Sequence, residues 1–138
     1  MILTIHLLVS FILAIILYRS YSYLVLFIFL GGFLIDIDHP LYYLIRFKSF
    51  NLKKAYSYFM EIGKRNDLRS YESVIRIFHN IETFFVLLIF SFFSKEVLMI
   101  LIGFILHISL DMISEYRYFS CLRNYSLLRS LIKKQKPL

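Results

Sequence analysis

Cysteine is nearly absent. Cys121 is the only one in 138 residues, which excludes a disulfide-stapled scaffold. Charge is scarce as well: charged residues make up 18% of the chain, against about 25% in an average soluble domain. Acids are the scarcer sign, with nine Asp and Glu against sixteen Lys and Arg. What fills the chain is apolar, at 59%. That balance excludes intrinsic disorder, which needs few apolar residues and much charge. No internal repeat and no low-complexity tract breaks it up. The length suits one domain, and it is too short for a large pore or a two-lobed transporter unless copies assemble, so a homo-oligomer stays open.

The net charge of +7 would suggest nucleic acid in a soluble protein. Here the basic segments flank apolar runs, so the expected partners are anionic membrane lipids and not nucleic acid. Four runs stand out, over residues 2–18, 21–37, 77–93 and 97–113. Each is about 17 residues, the short end of what crosses a hydrocarbon core, so local thinning or burial of the polar ends is expected. The first run lacks a basic start and a small-x-small cleavage site, and reads as a retained helix. Very short connections at 19–20 and 94–96 force two antiparallel hairpins. The expected fold is all-α: a polytopic membrane protein with four transmembrane helices over 1–115 and a basic tail over 116–138.

Counting bases gives the topology. The loop 40–76 holds eight Lys or Arg, the tail after Ser114 holds six, and the two tight turns hold only Arg19 and Lys95. The loop, the tail and both termini are therefore expected on the cytoplasmic side of the cell membrane. The loop is too long to be structureless. Ser49 or Asn51 can cap a helix running to Glu61, with Gly63 as its stop. Leu52, Ala55, Tyr56 and Phe59 recur at helical spacing opposite Lys53 and Lys54, as in an interfacial amphipathic helix. Tyr18, Tyr21, Tyr23, Tyr42, Tyr43, Tyr116 and Tyr118 sit at span ends, where aromatic belts form.

Ionisable residues inside spans are costly and usually functional. All four histidines lie in or beside the runs, with four of the acids: His6, Asp36, Asp38, His39, His79, Glu82, His107 and Asp111. Helix parity brings every one of them to the cytoplasmic leaflet. His107 and Asp111 are four apart and share a helix face, and His79 with Glu82 and Asp36 with His39 are three apart. Asp38 joins them only if its helix ends or unwinds. Gly31, Gly32 and Gly103 allow close helix approach just inside the site.

Imidazole and carboxylate at this density read as a site for one or two divalent ions, Zn, Mn, Fe or Mg. Eight ligands are too many for one ion, and two-metal centres commonly hydrolyse phosphoesters. Asp38, His39, His79, His107 and Asp111 are the favoured ligands, with His6 completing the set. Asp36 or Glu82 is the favoured base or ligand-orienting carboxylate. Each residue also has a plainer reading. A lone membrane histidine is more often a hydrogen bonder between helices, and Asp36 and Asp38 alone can mark an interfacial helix end. Arg76 can clamp a phosphate or snorkel to lipid. Glu115 and Arg117 are expected among solvated headgroups, and Cys121 is expected to be inert.

The stretch Gly31-Gly-Phe-Leu-Ile-Asp-Ile-Asp-His39 resembles the Gly-x-x-x-Pro-Asp-x-Asp-His motif of the YdjM-like family of membrane-bound metal-dependent hydrolases. The stretch from Gly103 through His107 and Asp111 to Ser114 resembles its Gly-x-x-x-His-Leu-x-x-Asp-x-x-Thr motif, and His6 matches its early histidine. The family's middle motif, His-Arg-Gly-x-Thr-His-Ser, reads His79-Asn-Ile-Glu-Thr-Phe-Phe85 here. Ile35 replaces the proline, Asn80 the arginine and Phe84 the second histidine, for which Glu82 is the expected substitute. The resemblance implies metal-dependent hydrolysis, and the site's place in the membrane suggests a lipid or amphiphilic ester, most of all a phosphoester. Two other classes stand beside it. One is a di-iron-type oxidoreductase, although its Glu-x-x-His pair is absent. The other is a non-enzymatic metal-binding membrane protein, although no ionisable residue marks the far half of the spans. A lipid phosphatase with a His-x3-Asp end is set aside, because its basic and Pro-Ser-Gly-His motifs are missing.

Overall fold

The computed structural model describes residues 3–64, 74, 76–120 and 125–128. Among them every regular element is helical and none is a strand. Part of the basic loop, Cys121 and most of the basic tail lie outside the described residues.

Helix α1, Leu3–Tyr21, is apolar around its whole circumference. Phe11, Ile12, Ile15 and Ile16 stay exposed, as expected of a helix whose surroundings are apolar on every side. The chain reverses at Ser22, which takes a left-handed backbone with φ 50°. The returning arm lies antiparallel to α1, so that Ser10 faces Gly32.

That returning arm is not the single helix expected over 21–37. It consists of a 3-10 stretch Ser22–Phe27, a short helix α2 Ile28–Gly32, and a second 3-10 stretch Leu34–Ile37. The break falls at Phe33, φ −133° and ψ −49°, directly after the Gly31–Gly32 pair. The chain then enters α3, Asp38–Phe47, which ends at Lys48 in a left-handed conformation. Helix α4, Leu52–Lys64, is the amphipathic helix expected in the loop. Asn51 caps it by accepting from the Lys54 amide at 2.9 Å, and the helix runs through Gly63 to Lys64. Ala55 and Ile62 are buried while Lys53 and Lys54 are exposed.

Helix α5, Ile81–Ser91, is shorter than the 77–93 run that suggested it. Asn80 is the reason. Its extended backbone and its side chain, accepting from the Thr83 amide at 2.8 Å, start the helix at Ile81. His79 therefore precedes the helix. Ser94 caps the last helix, α6, Lys95–Phe119. This helix continues past both the 97–113 run and the expected limit at 115.

α2 and α6 pack backbone against backbone. A Cβ on Gly31 would overlap the Ile100 carbonyl oxygen, and one on Gly103 would overlap that of Ile28. Only glycine permits this approach. Contacts between the arm and α6 advance in the same direction: Ile28 clusters with Met99, Gly31 lies against Phe104, and Gly32 meets His107. The two segments are thus parallel, and Ala14, Val25, Ile28 and Met99 form the core between them and α1. Two helical segments, Thr4–Phe47 and Lys95–Arg117, are long and apolar enough to cross a membrane; the first contains the reversal at Ser22.

Candidate metal centre

Because α1 and the returning arm run antiparallel, His6 and Asp36 reach the same end. Because that arm and α6 run parallel, His107 and Asp111 reach it too. The 3-10 stretch before Asp38 brings Asp36 and His39 within reach of each other, Oδ1 to Nδ1 3.5 Å, and lets Asp38 turn inward, as the sequence required.

His79 and His107 occupy the centre, both buried, with their Nε2 atoms 2.8 Å apart. The opposite nitrogen of each ring is committed. His107 Nδ1 donates to the Gly32 carbonyl oxygen at 3.0 Å, and His79 Nδ1 donates to Asp38 Oδ2 at 2.8 Å. Both acceptors lack a proton to give in return. In the neutral rings both Nε2 atoms then carry lone pairs aimed at each other, an arrangement that needs a proton or a metal ion between them. Two donors bound to one ion at about 2.0–2.1 Å lie roughly 2.8–3.4 Å apart for angles between about 90° and tetrahedral, so the spacing falls at the short end of shared coordination.

Two carboxylates flank the pair. Asp36 Oδ1 lies 3.3 Å from His79 Nε2 and 3.5 Å from His107 Nε2. Asp111 Oδ2 lies 3.6 Å from each of them. His6 stacks on His107 with ring centroids 4.0 Å apart, and its Nε2 is 3.5 Å from Asp111 Oδ1. Asp38 accepts from His39 Nδ1 at 2.8 Å through its other oxygen, so one buried carboxylate orients two imidazoles. Three overlapping triads can hold an ion: His6 with His107 and Asp111, Asp36 with His79 and His107, and Asp38 with His39 and His79. Asp36 and His39 are the least enclosed members, with side chains 18% and 23% exposed.

Seven of the eight residues read from the sequence are thus brought together, and Glu82 is not among them. With His79 ahead of the helix, the shared face expected for the two does not exist. The Glu82 carboxylate accepts instead from Ser126 Oγ at 2.8 Å and from the Leu127 and Leu128 amides at 3.0 and 3.2 Å. Arg76 is buried, which distinguishes it from a snorkelling side chain. Glu115 is buried too, and not in solvated headgroups: Tyr125 OH donates to it at 2.8 Å. The sequence reading passed over Ser10. It is fully buried against Gly32, and its hydroxyl has no hydrogen-bond partner among the described residues. Its position four residues after His6 was the available signal.

Comparison of the chain with protein-family models, curated proteins and solved structures finds no match in any of the three.

Proposed function

We propose that this chain is a membrane-bound, metal-dependent hydrolase of the YdjM-like kind, acting on a lipid or amphiphilic phosphoester at the cytoplasmic interface. In this reading α1, the returning arm, α5 and α6 are four spans in two hairpins, and both termini are cytoplasmic. The observation that carries it is the pair of facing imidazole nitrogens, each oriented by an acceptor behind it and flanked by Asp36 and Asp111. Metal-bound histidines commonly donate their second ring N–H to a carboxylate or carbonyl in this way.

His79, His107, Asp36 and Asp111 would hold the first ion, and His6 the edge toward Asp111. Asp38 orients His39 and His79. A divalent ion held by these residues would supply an acidified water and a Lewis acid for the substrate oxygen. Asp36 faces both the cluster and the adjoining cavity, so it is the carboxylate placed to take the proton from the attacking water. Arg76, buried three residues before His79, supplies positive charge suited to a phosphoester. The di-iron alternative is weakened by the departure of Glu82, since Asp111, Asp36 and Asp38 are then the only carboxylates near these histidines among the described residues.

Elemental analysis of the purified protein tests this reading. At least one Zn, Mn, Fe or Mg ion per chain is expected, together with hydrolysis in a screen of phospholipid and isoprenoid phosphates. His107→Ala and Asp111→Ala should lose metal and activity together. A folded protein that hydrolyses these esters without metal would overturn the reading.

A further inference from the structure

A cavity of about 640 Å³ opens from the candidate metal centre and runs between α3, with the turn before it, and α4. Asp36, His39 and Asp111 line one end. Beyond them the walls are apolar, formed by Leu41, Leu44, Phe50, Phe59 and Met60. The two regions meet where Phe59 of α4 packs edge-on to His39, ring centroids 4.7 Å apart. Leu34, Ile37, Leu52 and Tyr56 line the cavity and are also exposed outside it, so its mouth is edged by apolar side chains.

A water-soluble ester would leave most of this volume unfilled by anything suited to it. A hydrocarbon chain matches the walls, and a polar head at its end would reach the ionisable part of the lining. The size lies within the range of sites that bury a single small ligand. We propose that the cavity holds the single hydrocarbon chain of a membrane-derived amphiphile, entering sideways between α3 and α4 with its phosphoester head against Asp36, His39 and Asp111. The head assignment rests on the hydrolase reading, and the chain assignment rests on the cavity alone. A chain moving from bilayer to cavity exchanges one apolar environment for another and gains little. A chain offered from water gains roughly fourfold in affinity per buried methylene until the cavity is full.

The test uses the full chain, held in an amphipathic polymer with zinc added, and n-alkyl phosphates from ethyl to decyl below their micellar concentrations. Dodecyl phosphate carrying a terminal diazirine is the photolabel. Labelling is expected on α3 and α4, around Leu44, Phe59 and Met60, with protection rising steeply from ethyl to decyl phosphate. Ala55→Phe and, independently, Leu44→Trp narrow the cavity and should cut labelling at least tenfold. Retained metal in these variants reports that the fold is intact. Labelling spread over the outer face of α1, indifferent to competitor length and to both variants, would overturn the proposal. Labelling in the cavity of a protein that holds no metal would support the chain site while removing the hydrolase reading. Bound metal without cavity labelling would overturn the chain site and leave that reading standing.

Discussion

The roles of the two aspartates in the Asp-x-Asp-His stretch follow from which histidine nitrogen each one meets. Asp38 meets only Nδ1 atoms, the backs of His39 and His79, whereas Asp36 lies near His39 Nδ1 but also meets the Nε2 atoms of His79 and His107. The sequence placed both in the site and favoured Asp38 as ligand; spacing alone carries no information on which nitrogen faces which oxygen. Their substitutions should therefore differ in kind. Asp38→Asn keeps the shape and weakens orientation, so metal affinity should fall about 10- to 100-fold in a chelator competition. His79→Ala or His107→Ala removes a central donor, and the purified protein should retain no metal by elemental analysis. Glu82→Gln should leave metal content at the wild-type level. An equal loss there would return Glu82 to the site.

Elements were legible where periodicity and caps agreed. The amphipathic α4 follows from residue type at helical spacing, with Asn51 the one of its two candidate caps that is used, and the turn before α6 follows from the shortness of the connection. The returning arm did not, because an apolar run has the same composition whether it is wound as α-helix or as 3-10 helix. The third helix starts four residues later than its apolar run for a related reason: composition does not distinguish an Asn80 inside a helix from one whose side chain caps Ile81–Ser91. Two predictions belong to this scale. Gly103→Ala forces a methyl group onto the Ile28 carbonyl and should cost about 1–3 kcal/mol in reversible unfolding. Glu82→Gln should loosen the segment it holds, and the Leu127 and Leu128 amides should exchange with solvent at least tenfold faster.

For the whole molecule, helix parity predicts that each apolar run carries its histidine or aspartate to the same end. The structure agrees in placement, with an antiparallel first hairpin and a parallel pairing of the returning arm with α6. The cavity was not legible, because it depends on how α4 leans against α3 through Phe59, Tyr58, Tyr43 and Phe47, and no local pattern encodes that angle. The four-span reading has a direct check. A fluorescent reporter fused to the C-terminus should fold and shine, as it does in the cytoplasm, and an exported phosphatase fused there should be inactive. Phe93→Cys in a Cys121→Ser background, in the exposed turn between α5 and α6, should react with an impermeant thiol reagent from outside the cell. The opposite pattern would invert the orientation.

The broken winding of the returning arm also changes its reach. Wound wholly as α-helix, the run 21–37 would extend about 25 Å at ~1.5 Å per residue, short of a hydrocarbon core of about 30 Å. Six residues in Ser22–Phe27 and four in Leu34–Ile37 are instead drawn out as 3-10 helix, rising about 2.0 Å each. Those ten residues lengthen the arm by about 5 Å, to about 30 Å. The second of these stretches also turns Asp38 inward, and in the four-span reading the two together give the arm a reach comparable to a hydrocarbon core.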